Sequence, residues 1–373
     1  MKNANLSVVL GRASGLKNTY LDLPPLIFCL VTIVSTLIAV RTDFLLFLSL
    51  PILVWFVLIP TLDHYLNKDV PDDGSSQSRQ APPASLRRVD VELLWTSVLS
   101  IFAIAILAVS AVNSFAMLSL MGIEIGLLLF LGLSTVVQQA HTERCATAKF
   151  LGFVVKGLAF APQLSQSAMQ IRMSTAATAQ DFSSARMGES YYRYLIRYFR
   201  GLFLAMSSPR RRDNESIILG GIFFLYCGVL IQLGGVEMLW LIGVQSLVAM
   251  WQLSSRDYVS HYGILRHKND NGQSEELDAR HRWQTTGPVN NALLRFAPIG
   301  TSSSEHEHQR ATELRYEFGL NLLSLVVLIP KLWSRHANPR LANHVGHDLG
   351  KVNLDGNAYV ELMEAYHREA EAR

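Results

Sequence analysis

The sequence predicts an all-α membrane protein: six transmembrane helices carrying a helical cytoplasmic cap. Three observations point there. Half of the 373 residues are hydrophobic, and they are bunched into runs too long for a soluble core. The runs come in three close pairs. The basic residues fall almost wholly outside the short turns within each pair. A formal net charge of +3 is too small to suggest nucleic acid as a partner. Cys29, Cys145 and Cys227 share no close spacing, which argues against a disulfide framework or a zinc site. The first apolar run starts late and lacks a small-residue cleavage site, so no cleavable signal peptide is expected.

Residues 1–23 are mostly polar, carry Lys2, Arg12 and Lys17, and read as a cytoplasmic N-terminal segment. The apolar runs Pro24–Val40 and Phe44–Ile59 are parted only by Arg41, Thr42 and Asp43 and form the first hairpin, 24–60. Each is near the lower length for spanning, and the pairing supports both. Residues 61–92 hold Asp69, Asp72, Asp73, Asp90, Pro71, Pro82 and Pro83 and read as a cytoplasmic linker. Leu93–Val112 and Phe115–Val137 make the second hairpin, 93–137. Ile217–Leu233 and Val236–Leu253, turning at Gly234-Gly235, make the third, 217–253. Segments 138–216 and 254–373 are the two parts of the cap.

Within the cap, Phe150–Pro162 and Phe318–Pro330 are apolar but too short to span, and read as interfacial or core helices. The tail from Leu354 reads as one amphipathic helix. Of the three short turns, only the first has a basic residue, Arg41, whereas the long segments include Arg210-Arg211-Arg212. The positive-inside rule therefore places both termini and both cap segments in the cytoplasm.

Glu124 lies inside the fourth span. An ionisable group there is expensive and marks a functional position, or else a protonated or hydrogen-bonded carboxyl packed between helices. No basic residue in the neighbouring spans offers it a partner, which favours the packed carboxyl.

The segment Asp257 to Arg266 follows the last apolar run, where the chain would leave the membrane. Its His261-Tyr262-Gly263-Ile264-Leu265-Arg266 resembles the H-Y-G-L-L-R motif of the membrane-bound alkane 1-monooxygenase family, one of the fatty-acid-desaturase-like membrane di-iron proteins. The resemblance runs from about residue 24 to about residue 355. Leu62-Asp63-His64-Tyr65-Leu66-Asn67-Lys68-Asp69 looks like the family's aspartate segment. Residues 177–190, with Asp181, Arg186, Gly188 and Glu189, are close to its A-T-P-E-D-P-A-S-S-R-M-G-E-S, except that Ala179 and Phe182 replace both prolines. Ile329 to Trp333, Asn338-Pro339-Arg340 and His344 to Asp348 resemble its C-terminal signature, and His281 with Trp283 its H-S-W segment.

The resemblance implies terminal hydroxylation of an alkyl chain at a di-iron centre, with electrons from rubredoxin and the protein in a bacterial inner membrane. Imidazole suits iron in such a site. His261 matches a family ligand. Arg186, Glu189, Tyr262 and Gly263 match positions expected to be structural. Three further histidine motifs are altered. Where H-E-x-x-H-K belongs, only His141 stands. The region for E-H-x-x-G-H-H, residues 167–173, has no histidine and offers Arg172 and Met173, and a cation there would repel iron. The region for Q-R-H-S-D-H-H keeps His306 and His308 at altered spacing. Glu305 and His308 have the i, i+3 spacing of di-iron bundles, or belong to a solvated polar loop. His64, His267, His336 and His367 have no partner pattern and read as ordinary surface or packed histidines.

Two readings follow. One is a catalytically degenerate homologue that binds membrane lipid, an alkane or a fatty-acyl chain, or partners an active paralogue. The other is an active hydroxylase whose irons sit on His261, His141, His306 and His308. Missing ligands favour the first. Nothing suggests a phosphate loop, a serine triad or a transporter.

Overall fold

The computed structural model describes residues 23–67, 86–138, 146–165, 168–169, 174–207, 214–266, 275, 281–285, 288–294, 315–316, 318–345 and 352–355. Helix α1 is Leu23–Thr42. Helices α2 (Leu46–Leu53) and α3 (Ile59–Asn67) join through a π-helical turn, Val54–Leu58. Then come α4 (Leu86–Ser110), α5 (Phe115–Gln138) and α6 (Ala146–Leu158). Helices α7 (Tyr191–Ser207), α8 (Asn214–Gly234) and α9 (Met238–Ser260) follow. Strands β1 (Gln284–Thr285) and β2 (Arg315–Tyr316) pair in parallel around α10 (Pro288–Leu294). Helices α11 (Leu320–Val326) and α12 (Pro330–Val345) complete the described chain.

Among the described residues, six helical stretches are long and apolar enough to cross a membrane: Pro24–Thr42, Leu46–Leu66, Val91–Ser110, Phe115–Val137, Asn214–Gly234 and Met238–Ser260. The expected all-α bundle of six spans is therefore present. The helices run past the apolar runs that announce them. Helix covers both ends of the expected linker 61–92, through Asn67 and again from Leu86. Polar side chains do not stop a helix, whereas proline does, and Pro71, Pro82 and Pro83 lie in 68–85, outside the described residues. Leu354 forms a bridge with Met187 rather than starting a helix, and 356–373 lie outside the described residues.

Helix α5 is the axis of the bundle, with 83 % of its most apolar window buried. It packs most extensively on α9 and next on α4. The close approach to α9 runs through Gly122 and Gly126, four apart. A Cβ at Gly126 would lie 2.7 Å from Val248 Cβ and 2.9 Å from the Gln245 carbonyl oxygen. In lipid, where apolar faces gain little from meeting each other, small residues that let backbones approach are what hold helices together.

Pro51 sits inside α2, and the π turn follows it directly. The proline ring removes an N–H and crowds the preceding turn, and the helix widens just beyond. Trp55, in that turn, is fully buried with its ring centre 5.0 Å from Phe28 and 6.2 Å from Phe130.

The two short apolar segments, Phe150–Pro162 and Phe318–Pro330, pack against the bundle helices. Helix α6 starts four residues before Phe150 and seats against α4, α5 and α8. Its buried Lys156 pairs with Glu215 and donates to the Leu164 carbonyl at 3.3 Å. Helix α11 covers Leu320–Val326 and packs on α9 and on the π turn and α3.

Glu124 is fully buried between α5 and α1. Thr36 Oγ1 lies 2.7 Å from the Thr32 carbonyl oxygen and 2.7 Å from Glu124 Oε2. A hydroxyl has one proton and the carbonyl only accepts, so both contacts carry a hydrogen only when the carboxyl is protonated. Glu124→Gln keeps a donor at this place and should cost less than about 1 kcal/mol in thermal unfolding. It should also remove a carboxylic-acid C=O band from the infrared spectrum. An unchanged spectrum would show that Glu124 is ionised.

Candidate functional site

The site is built on the exit of α9. His261 ends the helix at φ −125° and ψ 17°. Gly263 then takes φ +71°, a conformation that costs an L side chain, and the chain doubles back. A Cβ at Gly263 would run into Leu341 and come within 3.2 Å of Met187 Cβ.

This turn is sewn into two distant segments by backbone hydrogen bonds. Gly263 N–H donates to Ala185 at 2.9 Å, and Arg266 N–H to Ala177 at 2.7 Å. Asn353 N–H donates to Gly263 at 2.9 Å, and Met187 N–H to Asn353 at 2.7 Å. The segment 177–190 and residues 352–355 thus clasp the His-Tyr-Gly turn from both sides. Bridges Met187–Leu354 and Ile264–Val352 mark the clasp.

Side chains lock it. Tyr262 Oη donates to Asn338 Oδ1 at 2.8 Å and accepts Gly188 N–H at 2.9 Å. Burial pushes its pKa up to about 12, so it stays a phenol. Trp283 Nε1 donates to the Tyr262 carbonyl at 2.8 Å, and its ring stacks on Tyr316 at 4.2 Å and 11°. Tyr258 Oη donates to the Glu189 carbonyl at 2.6 Å.

The polar centre of the clasp is Arg197 on α7. Its Nε and Nη2 donate to Glu189 Oε1 and Oε2 at 2.9 and 2.6 Å. Nη1 and Nη2 also donate to the Phe182 and Ser184 carbonyls at 3.1 and 2.9 Å. Burial opposes the charge on Arg197, but Glu189 outweighs it and holds the guanidinium above its usual pKa. Asp181 accepts Ser183 N–H and Oγ at 2.9 and 2.8 Å and Ser184 Oγ at 2.6 Å.

Arg186, Glu189, Tyr262 and Gly263, all matched to family positions in the sequence, meet here. Arg186 enters through its backbone N–H, 3.0 Å from Glu189 Oε2. Asp63, matched in the same way, works elsewhere. Its carboxylate accepts Val289 N–H at 2.7 Å and Asn290 N–H at 3.2 Å, at the start of α10. Asn290 continues to Asn321, and Asn321 to the Trp55 carbonyl. The second span is so tied to α10 and α11. Asp63→Asn should destabilise the protein by about 1–3 kcal/mol, because the charge-assisted bonds to α10 weaken. Thermal unfolding in detergent checks it, and an unchanged midpoint would show that α10 needs no such anchor.

His261 is partly buried. Its Nδ1 lies 3.1 Å from the His281 carbonyl oxygen, which can only accept, so Nδ1 carries the proton and Nε2 the lone pair. Burial, and next the charge of Arg282, push its pKa down to about 4, against the pull of Asp181 and Asp257. The imidazole is neutral at pH 7. A neutral imidazole whose second nitrogen is held by a backbone carbonyl is the form that binds metals.

Among the described residues, the rest of a metal centre is not gathered around it: no three His, Cys, Asp or Glu side chains converge to hold an ion. His141, His306, His308 and Glu305, with Arg172 and Met173, lie outside the described residues. His64 is exposed, and His336 stacks on Tyr316 on the far side of the clasp. Taken among the described residues, His261 and a serine-bound Asp181 do not amount to the donor set of an iron pair. Arg282 and Arg197 are the functional residues that sequence reasoning passed over. Arg282 takes the middle place of the His-x-Trp segment, where the family resembled here has serine. Its charge is the signal that could have been read.

No protein-family profile matches the chain. Over 366 residues it is 25 % identical to an alkane 1-monooxygenase of Ectopseudomonas oleovorans, covering 91 % of this chain and 89 % of that protein. It is 23 % identical to an alkane 1-monooxygenase of Acinetobacter baylyi, over 81 % of this chain and 79 % of that one. It is 25 % identical to alkane 1-monooxygenase 1 of Alcanivorax borkumensis, over 74 % and 71 %.

Proposed function

We propose that this protein is a non-catalytic member of the membrane alkane 1-monooxygenase family. It takes a lipid or alkyl chain into its six-helix bundle, or partners an active paralogue, and does not hydroxylate. The observation that carries this reading is Arg282. It follows His281, whose carbonyl oxygen lies 3.1 Å from His261 Nδ1, so a fixed cation stands near the residue matching a family ligand and opposes a second one. The altered histidine motifs at 141, 167–173 and 306–308 point the same way. The clasp of 177–190, 261–266 and 352–355 and the apolar bundle are independent of the irons, because packing and ligation are separate constraints. A pocket for an apolar chain can therefore outlast the loss of ligands.

We place the clasp and α10 to α12 in a cytoplasmic cap formed by 138–216 and 254–373, on hairpins 24–60, 93–137 and 217–253. Both termini face the cytoplasm of a bacterial inner membrane, a reading supported by the basic residues clustered on that side.

The alternative is an active hydroxylase of alkanes or fatty-acyl chains, with iron on His261, His141, His306 and His308. One feature favours it: His261 is already in the ligand tautomer. Turnover separates the two. The purified protein is given dodecane, oxygen, rubredoxin and rubredoxin reductase. Our reading expects no 1-dodecanol, with dodecane still raising the unfolding midpoint. Alcohol formation at the rate of a family enzyme would establish the alternative.

A further inference from the structure

Helix α7 is apolar on two faces. Tyr191, Tyr194, Tyr198 and Leu202, at i, i+3, i+7 and i+11, are buried. Tyr192, Ile196, Phe199 and Phe203, at i, i+4, i+7 and i+11, form a second stripe that faces outward. Ile196 is 73 % exposed and Phe203 69 %. Arg193 and Arg200, seven apart and both exposed, flank this outer stripe. Arg193 is paired with Asp355 at 2.9 Å. Aromatic and aliphatic residues in a row, edged with arginine, are the composition of a helix lying in a membrane interface.

Its depth agrees. Tyr191 Oη, at the start of α7, lies 2.8 Å from Ser254 Oγ and 3.3 Å from the Trp251 carbonyl oxygen. Past Trp251, α9 turns mostly polar, with Gln252, Ser254, Ser255, Arg256, Asp257 and Ser260, so these contacts fall where the span nears its polar end. The other end of α7, Ser207, is followed by six residues, 208–213, before the span Asn214–Gly234 begins. Those six include Arg210-Arg211-Arg212. The first end of the helix is fixed beside the cytoplasmic-side edge of one span, and the second is short of chain from the same edge of another. Tyr192 also donates to the Leu328 carbonyl at 2.9 Å, next to exposed Ile329 and Leu332, which extend the apolar surface.

We infer that α7 is an interfacial helix. Its outer stripe sits in the acyl boundary of the leaflet on the cap side, and Arg200 meets anionic phospholipid head groups. The inner face of the same helix carries Arg197 and Tyr194, which hold the clasp around His261. The lipid surface and the clasp thus share one rigid element. The inference stands on the helix alone and does not need the non-catalytic reading.

The test uses the full chain with Cys29, Cys145 and Cys227 replaced by alanine. A nitroxide is placed at Ile196→Cys, Phe203→Cys or Arg200→Cys. These positions are exposed, so the labels leave the core intact. In vesicles of phosphatidylcholine and phosphatidylglycerol, the labels at 196 and 203 should collide several-fold more with oxygen, relative to a water-soluble nickel chelate, than the label at 200. Arg200→Gln, or vesicles of phosphatidylcholine alone, should reduce that ratio at 203. Labels at 196 and 203 as open to the nickel chelate as the label at 200 would overturn the inference. So would labels shielded from both reagents, which would mean that protein covers the stripe, either a second copy or residues 356–373. A ratio indifferent to phosphatidylglycerol would overturn the choice of anionic lipid.

Discussion

Arg197→Ala should lower the stability of the protein by about 3–5 kcal/mol, the usual cost of leaving one member of a buried ion pair alone. Glu189 is the reason. Its side chain is 5 % exposed, and both of its oxygens are held by Arg197. Without the guanidinium, a buried carboxylate keeps only the Arg186 N–H, and the Phe182 and Ser184 carbonyls lose their donor. Arg197→Lys should recover only part, since an ammonium cannot bridge both carboxylate oxygens in the plane of a fork. Adding Glu189→Gln to Arg197→Ala should recover part of the loss by removing the stranded charge. Thermal unfolding in one detergent checks the set. A midpoint for Arg197→Ala close to the parent's would mean that the clasp does not depend on this pair.

Gly263→Ala should cost about 3 kcal/mol, from two separable sources. An L residue at φ +71° pays roughly 1–2 kcal/mol for the left-handed backbone. Forcing a methyl into a filled space costs about 1–3 kcal/mol more, and here the methyl meets Leu341. Leu341→Ala in the same chain opens that space and leaves the backbone strain. Measured against Leu341→Ala alone, the added cost of Gly263→Ala should then fall to the strain, about 1–2 kcal/mol. An undiminished cost would show that Leu341 is not the obstacle. A negligible cost in both backgrounds would show that the turn relaxes, and the clasp would have to tolerate a different path from His261 to Arg266.

Six spans were legible because a run of apolar residues near the thickness of a bilayer is a signal carried by each segment alone. Their ends were not. Val91 and Asp63 lie in helices whose composition has already turned polar, and helix continues there because nothing breaks it. The His261-Tyr262-Gly263 turn was legible as a special place, and Gly263 with its positive φ gives the physical reason. Its partners were not legible. Ala185, Asn353 and Asn338 reach it from distant segments, and no local pattern encodes such pairings. Asp63 is similar: it was noticed as a matched residue, but its task, holding the start of α10 more than two hundred residues away, is a property of the fold. Helix α7 was not legible as a separate element because Arg193, Arg197 and Arg200 break its apolar run below the length that announces a span, and which part of its broad apolar face is buried is a property of the fold. The role of Arg282 was not legible because its nearness to His261 comes from the fold, through the His281 carbonyl, and not from the local sequence His281-Arg282-Trp283.

The proposed non-catalytic role turns on whether iron is held, and that can be measured directly. The full chain is purified in detergent, confirmed as folded and monodisperse, and its metal content read by mass spectrometry of the ions. The account predicts no stoichiometric iron, before or after incubation with ferrous ion, and the same result for Arg282→Ser. Two irons per chain in the unaltered protein, lost on His261→Ala, would contradict it. They would make His261, with donors among His141, His306 and His308, the centre of a working hydroxylase.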